Sequence, residues 1–61
     1  MKVTITFPRT IEGVRIKVVE LSRVPCEGEV IAIGEECYTV RGAVIHYANP
    51  RKDAPVAEVR L

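Results

Sequence analysis

Tryptophan is absent from this chain, and its aromatic residues are limited to Phe7, Tyr38 and Tyr47. A base-stacking surface of the kind that grips single-stranded nucleic acid has little to be built from. One histidine and two cysteines fall short of the four ligands of a structural zinc site, and Cys26 and Cys37 do not have C-x2–4-C spacing. No metal and no cofactor are expected. Charge of one sign is lacking too: nine Lys and Arg face eight Asp and Glu, for a net +1. No overall field therefore draws the chain to nucleic acid or to an anionic membrane. No apolar run approaches the ~20 residues that cross a bilayer. The opening Met1-Lys2-Val3-Thr4-Ile5-Thr6-Phe7 alternates and has no apolar signal region. A cytoplasmic protein without a membrane segment is expected, with Cys26 and Cys37 as reduced, partly buried small hydrophobes and a disulfide as the other reading.

What is present is a dense supply of β-branched residues in 61 positions, 48% of them hydrophobic and 28% charged. That composition is globular. A chain of ~60 residues buries only about 60% of its unfolded surface, so one domain of marginal stability is expected, over residues 1–61.

Alternation over residues 1–7 predicts a first strand with Val3, Ile5 and Phe7 on one face, ended by Pro8. A connection over 8–13 follows, with Gly13 free to take a positive φ. Residues 14–21 predict a second strand. Val14, Ile16 and Val18 are expected on its core face, Arg15 and Lys17 on the other, and a bulge or bend near Val18-Val19 to bring Leu21 inward. Residues 22–29 read as a loop. Residues 30–33 and 36–47 read as a hairpin about a type II′ turn at Gly34-Glu35, with a bulge or bend at Gly42. That turn predicts Ile33 opposite Glu36, Ala32 opposite Cys37, Ile31 opposite Tyr38 and Val30 opposite Thr39. Residues 48–55 form a polar loop and 56–61 a last strand. Five short strands with glycines at the corners indicate an all-β fold, a small five-stranded barrel or a strongly bent antiparallel sheet.

Chemistry is thinly supplied. Cys37 and His46 lie nine apart with opposite strand parity, so a nucleophile–base pair would need a register change. No catalytic residue is assigned. Glu27, Glu29, Glu35 and Glu36 are expected at one end of the hairpin as solvated carboxylates. Arg41, His46, Tyr47, Arg51 and Lys52 are the basic and aromatic residues that could hold an anionic ligand, because a guanidinium fork suits phosphate and Tyr47 can stack.

The apolar content is the stronger signal. Val19, Val30, Ala32, Ala43 and Ile45 exceed what a single core face can take. They point to an interface, with a homo-oligomer as the default.

Val24-Pro25-Cys26-Glu27-Gly28-Glu29-Val30-Ile31-Ala32-Ile33, then Tyr38-Thr39-Val40, His46 and Ala57-Glu58-Val59-Arg60-Leu61, form a recurrent pattern. It resembles small proteins of bacteria, phages and mobile elements that run VPxxGExVxI, YxVxxVxH and an EVxL-like end. The resemblance covers residues 24–61 and implies an SH3-like barrel, but it carries over no site residue. Together these readings lead to a non-catalytic binding protein of phage or mobile-element type, a homo-oligomer that holds or masks a host factor or a small anionic ligand. The alternatives are a nucleic-acid-binding barrel and an accessory or structural subunit of a larger complex.

Overall fold

The computed structural model of this chain describes residues 1–11 and 13–61, with the backbone alone at Ile11. Glu12, within the expected connection over 8–13, lies outside the described residues. Alternation of β-branched with polar residues produces the first strand, β1 (Lys2–Ile11). Val3, Ile5 and Phe7 all turn inward and are buried. Pro8 does not end the strand. It falls where pairing with β2 (Val14–Glu20) loses register, between Thr6 and Ile11, and an irregular stretch tolerates a residue without an N–H. Arg15 reaches back to this irregularity, its Nε donating to the Phe7 carbonyl at 3.4 Å.

β2 faces the opposite way from the expectation. Val3 pairs with Val19 and Ile5 with Lys17, and opposed residues share a face. The core side of β2 therefore carries Val19 and Lys17. Ile16 and Val18 stand beside Thr6 and Thr4 on the outer side, 60% and 48% exposed. No bulge forms at Val18-Val19, since pairing runs unbroken from Glu20 to Ile16. Leu21 packs against the core without one. The reason lies in the period of two: a single choice of register moves every side chain of a strand to the other face. At this sheet edge, the aliphatic stem of Lys17 can lie on the core side while its ammonium stays in water.

The hairpin of β3 (Val30–Ile33) and β4 (Glu36–Thr39) has the expected pairing at all four positions. Gly34 has φ 64°, whereas Glu35 is not among the positive-φ residues, which is the pattern of a II′ turn and not of I′. The strand expected over 36–47 is in fact two. The chain turns at Val40 and continues as β5 (Arg41–His46) in the other sheet. Val40 is 2% exposed, its N–H donates to the Glu29 carbonyl at 2.8 Å, and its carbonyl accepts from Gly28 at 3.0 Å. Gly42, with φ 68°, sits inside the register shift between Arg41 and Ile45.

β6 (Ala57–Arg60) completes a four-stranded sheet of order β2-β1-β6-β5, and β3-β4 forms a second sheet. The fold is all-β; the described residues form six strands where five were expected, in two sheets that do not close into a barrel. Nor is it wholly antiparallel: β1 and β6 run parallel, Ile5 beside Val59. The four-stranded sheet supplies Val3, Ile5, Phe7, Ala57 and Val59 to one face, joined by Val40 and Leu61. Ile31, Ile33 and Tyr38 of the hairpin pack against them. Phe7 and Tyr38 meet edge to face across the layers, with ring centroids 5.7 Å apart.

Candidate binding cleft

Beside that aromatic pair the two layers part. The start of β2 and the tip of the hairpin enclose an open cleft of about 540 Å³. Phe7, Val14, Ile33 and Tyr38 give it apolar walls. Lys17 stands on the β2 side, and Glu35 and Glu36 stand at the hairpin turn. Each element positions its wall for a local reason. The β1 alternation aims Phe7 inward, and the II′ turn sets Ile33 and Glu36 opposite one another. The Tyr38 hydroxyl donates to Glu36 Oε2 at 2.9 Å, and Arg9 Nη2 lies 4.0 Å from the same oxygen. Burial of the ring and then the Glu36 carboxylate hold the Tyr38 hydroxyl above its ordinary pKa. Among the described residues Lys17 has no carboxylate partner. Sequence reasoning missed this site because it set Lys17 on the face away from the core.

The five residues expected to hold an anion do not converge. Arg41 begins β5 and is paired with Arg60. His46 ends β5, a span of roughly 15 Å away along the strand. Tyr47 follows, its hydroxyl donating to Glu58 Oε2 at 3.0 Å, and that bond followed by burial raises its pKa. Arg51 and Lys52 sit in the loop beyond, exposed, at the same end as His46. That loop is shaped by Asn49 and Asp53, whose φ values of 55° and 67° suit short polar side chains.

Nor do the five apolar residues of the expected interface form one patch. Val19 packs against the core. Val30 and Ala32 lie on the outer face of the hairpin, Val30 at 64% exposure. Ile45, opposite Glu58, lies on the outer face of the four-stranded sheet, and Ala43 is exposed within the β5 bulge.

Cys26 and Cys37 are free and exposed, not partly buried. Cys26 is in the loop over 22–29, and Cys37 is on the outer row of the hairpin with Val30 and Ala32. Cys37 and His46 belong to different sheets, and among the described residues no hydrogen bond joins them. Among the described residues no three His, Cys, Asp or Glu side chains gather as a metal site would need. The four glutamates do not crowd one end. Glu35 and Glu36 are at the turn, whereas Glu29 is at the far end of the hairpin, its carboxylate accepting from the Cys26 N–H at 2.6 Å and from both terminal nitrogens of Arg23. Those bonds, Arg23 first, lower the Glu29 pKa to about 2. No helix of the described residues is long and apolar enough to cross a membrane.

Comparison with family models, with curated proteins and with solved structures finds no match to this chain.

Proposed function

We propose that this protein acts by binding and not by catalysis, and that its cleft receives an apolar side chain presented by a protein partner. One observation carries the reading: a chain of 61 residues leaves an apolar-walled opening of about 540 Å³ uncovered. Clefts of ~300–1,000 Å³ with apolar walls and a few polar groups are the usual form of a binding site. The rim carries both signs of charge, Lys17 against Glu35 and Glu36, which suits a polypeptide segment better than a small anion. The resemblance noted in the sequence supplies a setting, a small phage or mobile-element protein that holds or masks a host factor. The anionic-ligand and nucleic-acid readings would use Arg41, His46, Tyr47, Arg51 and Lys52, of which Arg41 stands at the other end of β5 from the remaining four. A homo-oligomer belongs to the proposal as well. The outer row of the hairpin, Val30 and Ala32 with Cys37 and Thr39, is an apolar surface that a second copy can cover without opposing like charges.

Titration with N-acetyl-phenylalanine amide, followed through backbone amide NMR, tests the cleft. Shifts centred on Phe7, Val14, Ile33 and Tyr38 are expected. Shifts centred on His46, Tyr47, Arg51 and Lys52 during titration with ATP would transfer the reading to an anionic ligand. No response to either compound would retire it.

A further inference from the structure

We propose that the free edge of β2 docks an extended protein segment in which aliphatic residues alternate with acidic ones. This rests on the reading of the protein as a binder of protein segments, and it names what the segment carries.

The backbone comes first. β2 is the outermost strand of the four-stranded sheet, and it pairs with β1 without a break from Glu20 to Ile16. Its unpaired N–H and C=O groups therefore form a regular template for one more strand. The opposite edge, β5, is interrupted by the register shift at Gly42 and is a poorer template.

Side chains then select the occupant. On the outer face Ile16 and Val18 are 60% and 48% exposed and have only threonines beside them on β1. Aliphatic residues on an added strand would pack directly opposite. Lys17 lies on the core side of the same edge, opposite Ile5, and Arg15, two residues before it, is exposed; neither has a carboxylate partner among the described residues. Acidic residues in the alternate positions of the added strand face these two cations. One sequence pattern satisfies both faces at once.

A second copy fits this edge less well. Residues on the same face must be opposed, so antiparallel self-pairing is centred on a residue. Centred on Ile16, it aligns the aliphatic rows but sets Arg15 against the second copy's Lys17. Centred on Lys17, it opposes two ammonium groups. Centred on Val18, it sets Ile16 against Glu20. Like charges directly opposed are destabilising.

The full chain, labelled for backbone amide NMR, is titrated with two blocked peptides, acetyl-Val-Glu-Val-Glu-Val-amide and acetyl-Val-Lys-Val-Lys-Val-amide. The acidic peptide is expected to shift amides of residues 14–20 and to bind about tenfold more tightly than the basic one. The double variant Arg15→Glu, Lys17→Glu should reverse that preference, with a dispersed amide spectrum showing that it folds. Lys17→Gln, milder at the same site, should narrow it. Equal binding of both peptides, or shifts away from β2, would overturn the proposal. So would concentration-dependent shifts of 14–20 in the peptide-free chain, which would assign the edge to a second copy. If N-acetyl-phenylalanine amide moves Phe7 and Tyr38 while neither peptide moves β2, the edge inference fails and the cleft reading stands. If no probe moves either region, both fail.

Discussion

The Phe7 and Tyr38 rings meet at 63° with centroids 5.7 Å apart, and this contact ties the β3-β4 hairpin to the four-stranded sheet. Phe7 is 4% exposed and belongs to the core, whereas Tyr38 is half-buried at the border of the cleft. Replacing a buried Phe by Ala costs about 3–5 kcal/mol. A core in a chain this short rarely supplies more than about 3–5 kcal/mol of net stability. Phe7→Ala is therefore expected to lose cooperative thermal unfolding, read by circular dichroism. Tyr38→Phe keeps the ring contact and loses only an exposed bond to Glu36, so its melting curve should stay close to the parent's. A Phe7→Ala variant that melts like the parent would show that the layers are held by something else.

The inverted face of β2 has a direct test. Ile16 is 60% exposed, so Ile16→Lys should change stability by no more than about 0.5 kcal/mol in urea unfolding. Ile5→Ala, at a site with 0% exposure, should cost about 2–5 kcal/mol. The face assigned here is wrong if Ile16→Lys unfolds the chain.

Glu29 makes stability depend on acid. Its pKa lies at about 2 in the folded chain, against 4.5 as its ordinary value. A depressed carboxylate contributes its full stabilisation above the unfolded pKa and loses it as pH falls through the folded one. The urea midpoint is expected to drop between pH 4.5 and 2, with a shallower drop in Glu29→Gln. Parallel curves for the two proteins would remove Glu29 as the cause.

Gly34 carries the hairpin turn at φ 64°, and a Cβ added there meets nothing within 4 Å. The cost of Gly34→Ala is then backbone strain alone, about 1–3 kcal/mol. It should appear as a lowered melting temperature with an unchanged amide pattern outside residues 33–36.

Both thiols are exposed. Cys26 and Cys37 should react with a chromogenic disulfide reagent in native buffer, in two equivalents, as fast as in denaturant. Protection of either thiol at high protein concentration and its loss on dilution would locate a self-association surface, which for Cys37 is the outer row of the hairpin.

Local chemistry made much of the fold legible. The β1 alternation, the II′ turn with its four cross-strand pairs, and the positive φ at Gly13, Gly34 and Gly42 follow from residue period and from the absence of a Cβ. The same reasoning failed where two registers were equally acceptable. β2 carries an aliphatic row and a basic row, and the aliphatic row was assigned inward by default. It also failed at Val40, because residues 36–47 contain no break stronger than Gly42. The Val40 corner is set by hydrogen bonds to Gly28 and Glu29, which lie eleven or more positions back. The cleft was illegible for the same reason. Its walls come from β1, β2 and the hairpin, which become neighbours only when the layers stack.

By itself the order of residues determined that this chain is all-β, where its hairpin turns, and that it carries more aliphatic surface than one face of one small sheet can cover. Tertiary structure alone decided which surface stays uncovered. The parallel pairing of β1 with β6 places β2 at an edge, and register with β1 then turns Ile16 and Val18 outward and Lys17 inward. Side-chain period is a local property of each strand. The side that faces water is a property of the neighbours, and those are chosen by contacts between residues far apart in the chain.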